Sequence, residues 1–178
     1  KIVSPNVNYS GYKFVVDSQN RIVYGLGAVK GVGEGAIENI MQVRAQRGPF
    51  KDIFDLCINT DGRKVTRRTL EALISAGAMD VFGMHRAALM GNLESAMQAA
   101  NQVHKNADLG QTDLFNEAIS AAELGLMTPS SIFPEWTDQV RLANEKLSLG
   151  LYLTGHPITH YEPELKHIIT HKICNLRP

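Results

Sequence analysis

The residues with the clearest chemical potential stand in one string, Gly25-Leu26-Gly27-Ala28-Val29-Lys30-Gly31-Val32-Gly33-Glu34-Gly35-Ala36-Ile37. Glycine at this density permits backbone angles closed to other residues and leaves amide groups uncovered. Uncovered N–H groups at the start of a helix, with its positive dipole end, suit an anion and above all a phosphate. Three sites use glycine in this way. A dinucleotide site would place Gly25, Gly27 and Gly31 after a strand at 21–24, and needs a second parallel strand and an acidic residue about 20 positions on. The residues that follow instead read as helix, then Gly48-Pro49, then helix. A phosphate-binding P-loop ends in Gly-Lys-Ser/Thr, which the string lacks.

The third site is a helix-hairpin-helix. A short helix around 27–30 meets the turn Gly31-Val32-Gly33, and a second helix starts at once, with Val32 plugged between the pair. Its ligand is a DNA phosphate, held by backbone amides and not by side chains that read bases. Lys30, Gly31, Val32, Gly33 and Gly35 are the candidate contacts. The bland alternative is a tight turn between helices with no ligand. A weaker copy follows: a helix over 66–76 closes on Gly77, the chain turns through 79–83, and Met84-His85-Arg86-Ala87 opens the next helix. Arg63, Lys64, Arg67 and Arg68 lie between the two units. A charge run is usually a solvated face; beside two hairpins it reads as a phosphate rim, to which Gly77 and Arg86 would add.

Other chemistry finds little support. No Asp-x-Asp pair suited to two-metal phosphoryl transfer occurs. His156, His160, His167 and His171 include two pairs at i,i+4 spacing, but Pro157 and Pro163 break the helix that would align them. No catalytic residue, metal ligand or bound cofactor is assigned. Trp136 reads as a packing anchor on a helix.

The elements that must position these residues are mostly helical. Residues 12–16 and 21–24 are β-rich around a turn at 17–20 and predict a β-hairpin. Helices are expected over 36–46, near 53–57, over 66–76, over 85–103 and over 134–148. Residues 105–134 carry Gly110, Gly125, Pro129 and Pro134 and read as a linker; the tail from Gly150 reads as irregular. The expected fold is mainly α with a small N-terminal β-hairpin and a tandem helix-hairpin-helix domain.

The charge balance agrees with this division. The net charge of the chain is zero. Residues 1–105 nevertheless hold 13 Lys/Arg against 9 Asp/Glu, and residues 106–178 hold 5 against 9. The first part suits a polyanion and the second repels one. No apolar stretch approaches the roughly 18 residues of a membrane helix, so no membrane partner is expected. Cys57 and Cys174 lie far apart, as buried thiols in a reducing cytoplasm would. A first residue of lysine and the absence of a signal-like start read as an excised segment.

Four spaced motifs, in order, resemble one family. They are Tyr24-Gly25-Leu26-Gly27-Ala28-Val29-Lys30-Gly31-Val32-Gly33; Phe54-Asp55-Leu56-Cys57; Ser75-Ala76-Gly77-Ala78-Met79-Asp80 with His85-Arg86-Ala87-Ala88-Leu89; and Leu149-Gly150-Leu151-Tyr152-Leu153-Thr154-Gly155-His156-Pro157. Together they look like the bacterial replicative DNA polymerase III alpha subunit. The resemblance implies that residues 1–27 end the fingers region and that 28–104 form the tandem hairpin domain on double-stranded DNA. Residues 105–134 would then be a linker, and 135–178 would lead to an absent oligonucleotide-binding domain. The magnesium-dependent catalytic aspartates would lie upstream in the parent polymerase, a bacterial cytoplasmic enzyme with other holoenzyme subunits as partners. In this context Gly110-Gln111-Thr112-Asp113-Leu114-Phe115 resembles a peptide that docks on the beta sliding clamp. Gln111 would orient it, Leu114 and Phe115 would enter a pocket, and Asp113 is counted with them among the contacts. Without that context Leu114 and Phe115 read as caps on a local core. Two other functions stay open: a hairpin module of a repair nuclease or ligase, and a helical protein-interaction module without DNA contact.

Overall fold

The computed structural model describes residues 1–108 and 132–169. Its strands are β1 (Ile2–Val3), β2 (Val15–Val16) and β3 (Ile22–Val23). The helices are α1 (Glu34–Arg47), α2 (Ile53–Asn59), α3 (Arg67–Ser75), α4 (Arg86–Asp108), α5 (Asp138–Leu149) and the single turn α6 (Glu162–Leu165). The fold is mainly α with a small N-terminal sheet, as expected.

The sheet is wider than the expected hairpin. β2 and β3 pair antiparallel, Val15 opposite Val23, but β1 adds a parallel strand on the other side of β3, Ile2 opposite Ile22. The hairpin also closes early. The Leu26 N–H donates to Gly11 O and the Gly27 N–H to Tyr12 O, both at 2.9 Å, so residues 11–13 leave β3 to pair with the glycine string. This contact explains two glycines. A Cβ on Gly25 would fall 2.5 Å from the Lys13 carbonyl carbon, and one on Gly27 would fall 2.8 Å from Tyr12 O. Both make room for the backbone of residues 12–13.

Each helix begins and ends for identifiable reasons. α1 carries Glu34 in its first turn and Arg44 and Arg47 in its last, matching the helix dipole, and stops at Gly48, whose φ is +92°. Asp52 caps α2 by accepting from the Asp55 N–H at 2.8 Å, and Thr66 caps α3 by accepting from the Thr69 N–H. α5 starts at Asp138, behind its cap Thr137, so half-buried Trp136 precedes the helix it was expected to sit on.

One core runs through α1 to α4. Ile37, Ile40, Ile53, Leu56, Leu70, Leu73, Ile74, Leu89 and Leu93 are fully buried there. The N-terminal segment belongs to it as well. Val7 is buried, its N–H donates to Ala78 O at 2.9 Å, and its carbonyl accepts from Arg44 Nη1 at 2.8 Å. Asn8 and the Phe50 backbone exchange two hydrogen bonds of 2.9 Å. A second, smaller cluster joins Tyr24, Val29, Ala76 and Leu149. It ties the first hairpin, the end of α3 and the end of α5 into one body, so residues 138–149 do not stand apart from the hairpins in space.

Candidate nucleic-acid interface

The turn between the first two helical pieces is built as a narrow bend. Leu26–Ala28 forms a single 3-10 turn, shorter than the expected helix over 27–30. Val29 is buried, Val32 is half-buried between the two apolar clusters, and the Val32 N–H donates to Val29 O. The plug expected at Val32 is therefore shared, with Val29 the deeper of the two. Gly31 takes φ +87°, the left-handed region that favours glycine.

Beyond the bend, the α1 N-terminus is open. Gly33 is its N-cap and supplies no side chain; the N–H groups of Gly33, Glu34 and Gly35 have no acceptor among the described residues. A Cβ on Gly33 or on Gly35 would meet nothing within 4 Å. Exposed N–H groups at the positive end of a 14-residue helix have the chemistry to meet an anion directly.

Positive side chains gather at the same bend. Lys30 is exposed, and α3 brings Arg68 over Gly31: a Cβ there would sit 4.0 Å from Arg68 Nε and 3.9 Å from Ala72 Cβ. Lys64 and Arg68 point to solvent with no ion pair among the described residues. The other two arginines of the basic stretch are engaged. Arg63 lies 3.3 Å from Asp61. Arg67 donates to Glu71 at 2.9 Å and also to Glu94, and the hydrogen bond to Glu71 leads the effects that hold it charged. Of the four cations, Arg63 and Arg67 thus have an ion pair among the described residues, and Lys64 and Arg68 have none.

The second helix pair, α3 and α4, is closed to a ligand of this kind. Gly77, at φ +76°, ends α3 by donating to Ile74 O, and the Ala78 N–H donates to Leu73 O, both at 2.9 Å. This crossed pair of bonds is the usual left-handed termination of a helix and uses the turn's amides internally. At the start of α4, His85 Nδ1 accepts from the Ala88 N–H at 3.0 Å. Arg86 is buried, donating to both Asp80 carboxylate oxygens, to Ser75 O and to Glu145. The expectation that Gly77 and Arg86 join the phosphate rim is therefore corrected: both are buried, and Arg86 has no donor facing solvent to offer. No local signal marks Arg86 as different, since in the sequence it is one more cation near a basic stretch and its partner stands 59 positions away.

A helix-hairpin-helix motif model matches residues 1–89, half of the chain. The chain belongs to the helix-hairpin-helix family. Its likeness to individual proteins extends past that motif. The chain is 44% identical to DNA polymerase III subunit alpha of Pseudomonas aeruginosa over 193 aligned residues, covering 100% of the chain and 16% of the relative. It is 45% identical to the subunit of the same name from Vibrio cholerae serotype O1, over 98% of the chain and 15% of that protein. It is 46% identical to that of Escherichia coli strain K12, over 95% of the chain and 14% of that protein. The resemblance read from the four motifs thus holds along nearly the whole chain, which spans about a sixth of the relatives' length. The helix-hairpin-helix match stops at residue 89, so the likeness in sequence of α5 and the turn after it to the polymerase subunits lies outside the motif.

Gln111, Asp113, Leu114 and Phe115 lie outside the described residues, as do His171 and Cys174. Among the described residues no group of His, Cys, Asp and Glu could hold a metal ion, and no helix is long and apolar enough to cross a membrane. Cys57 is buried in the core, which pushes its thiol up to about 12.

Proposed function

We propose that this chain is the duplex-holding segment of a bacterial replicative DNA polymerase and has no active site of its own. The observation that carries the reading is the open α1 N-terminus at Gly33–Gly35 with Lys30 and Arg68 around it, in a chain alike throughout to DNA polymerase III subunit alpha. Backbone amides meet one phosphate and the two side chains meet its neighbours, so grip is indifferent to base sequence. A replicative enzyme must hold whatever sequence leaves its active site, and phosphate contact meets that need.

On this reading the parent carries out magnesium-dependent DNA-directed nucleotide transfer in the bacterial cytoplasm with the other holoenzyme subunits. The segment Gln111–Phe115 tethers it to the beta sliding clamp. The acidic balance of residues 106–178 keeps that tether off the phosphates.

The test is titration of random-sequence duplex with the chain across a salt series. With Lys30, Lys64 and Arg68 as the open cations, about three phosphates are neutralised, giving a log–log slope of about −3. A slope near zero, or strong preference for one sequence, would sink the phosphate reading. Primer extension by the purified chain with magnesium and nucleotides would sink the claim that it lacks a site of its own.

A further inference from the structure

One turn of α5 is attached to both hairpins at once. On one side Glu145, with 0% of its side chain exposed, accepts from Arg86 Nη1 at 3.1 Å. Arg86, 4% exposed, also holds Asp80 and the Ser75 carbonyl, so it gathers the end of α3, the turn and the start of α4 into one knot. On the other side, three and four residues later, the Ser148 carbonyl accepts from the Lys30 N–H at 2.9 Å. The Leu149 carbonyl accepts from Tyr24 Oη at 2.9 Å, and that hydroxyl also reaches Ala28 O at 3.2 Å. Gly150 closes the helix at φ +81°, and a Cβ there would lie 3.9 Å from Lys30 Nζ.

The attachment is itself held from behind. The Leu153 and Thr154 N–H groups and Thr154 Oγ1 all donate to the Glu145 carboxylate, the last at 2.7 Å. With Arg86 they fill the lone pairs of a carboxylate that burial would otherwise destabilise. A buried ion pair of this kind is a poor source of net stability but fixes a geometry sharply.

We propose that α5 is a brace that sets the spacing between the two hairpins, with Glu145 and Arg86 as positioning residues for the duplex grip. The inference rests on the DNA-holding reading above. One phosphate site at Gly33–Gly35 positions little by itself. A duplex is registered only when the basic face of α3 and the first hairpin keep a fixed relation, and α5 is the element bonded to both sides of that relation.

Two variants of the full chain test the brace, each followed by amide hydrogen exchange and by titration of random-sequence duplex over a salt series. Glu145→Gln keeps shape and an acceptor oxygen but removes the charge that holds Arg86. Its expected result is faster exchange at the Lys30 amide and across 77–88 together, with duplex affinity lowered about three-fold or more at unchanged helicity. Faster exchange confined to 145–154, with both hairpins still protected, would overturn the brace. Tyr24→Phe removes one of the two bonds of the opposite attachment, leaves the ion pair whole, and decides the matter if Glu145→Gln does not fold. Exchange should then rise at 28–30 and 146–150, with duplex affinity down about three-fold; undiminished binding would overturn the proposal. If the unaltered chain binds no duplex, the DNA-holding reading itself fails, and the exchange measurements still report whether α5 ties the hairpins together.

Discussion

The Arg86 guanidinium stands 3.1 Å from the Glu145 carboxylate, although 59 positions separate them, and both side chains are almost wholly shielded from water. Arg86→Met would leave Glu145 buried without its cation. Removing one partner of a buried pair typically costs about 3–5 kcal/mol, so chemical denaturation should show a loss of that size. Adding Glu145→Leu should restore part of it, because the second substitution removes the orphaned charge. Two losses that simply add would show that the pair is not coupled.

The same pair makes stability depend on acid. Burial works against the charged form of Glu145, but hydrogen bonds from Thr154 Oγ1, the Leu153 and Thr154 N–H groups and Arg86 outweigh it and hold the carboxyl below its usual range. A carboxylate depressed in the folded state contributes stability that is present above its unfolded value, 4.5, and is lost as pH falls through the folded value. Melting temperature should therefore fall as pH drops below about 4.5. Glu145→Gln should flatten that part of the profile, and an unchanged acid limb would assign the effect to other carboxylates.

Gly27 and Gly35 should answer the same substitution with opposite signs. A Cβ at Gly27 meets the Tyr12 ring at 2.7 Å and Tyr12 O at 2.8 Å, so Gly27→Ala must push two backbone segments apart. Gly35 lies in the first turn of α1 with open space around it, and Gly35→Ala should stabilise the helix by roughly 0.5–1 kcal/mol. Urea midpoints of the two variants settle this, and equal shifts in one direction would contradict the geometry.

Cations that look alike in the sequence should differ in duplex binding. Lys30→Ala and Arg68→Ala should each weaken binding and reduce the salt slope by about 1. Arg67→Ala should change the slope little, since Glu71 and Glu94 already neutralise that guanidinium. Fluorescence anisotropy across a salt series distinguishes them, and equal slopes for Arg67→Ala and Arg68→Ala would remove the distinction.

On the proposed reading, clamp docking should be separable from duplex binding. Changing Leu114 and Phe115 together to alanine should abolish capture by the beta clamp of the same source, since each side chain contributes roughly 1.5–3 kcal/mol if fully buried. Helicity and duplex affinity should stay as they are. A double variant that unfolds, or binds clamp undiminished, would assign the two side chains to a core.

Local patterns carried much of this molecule. Gly48 after α1, Thr66 before α3 and the spacing of Leu70, Leu73 and Ile74 mark helices whose bounds differ by a residue or two from the structure, because caps and periodicity are written in adjacent residues. The open turn is equally legible, since Gly31, Gly33 and Gly35 stand together. What stayed hidden lies in long-range pairing. Nothing near Ile2 announces a parallel partner twenty positions on, and nothing near Arg86 announces Glu145. Gly25 and Gly27 find a place in the sequence only in a dinucleotide site that the following residues disfavour, because only the tertiary approach of Tyr12 and Lys13 shows what they make room for.

The bond from Tyr24 Oη to Leu149 O closes a loop of 125 positions. Contacts of such separation form late, because the chain must surrender the freedom of everything between before they repay it. On a ribosome adding about 5–20 residues each second, the first hairpin waits roughly 6–25 s for α5 to emerge. During that interval Tyr24 and Val29 have no Leu149 to cover them. The first hairpin is thus a motif whose helices and turn are local, but whose apolar flank is sealed by a segment made more than a hundred residues later.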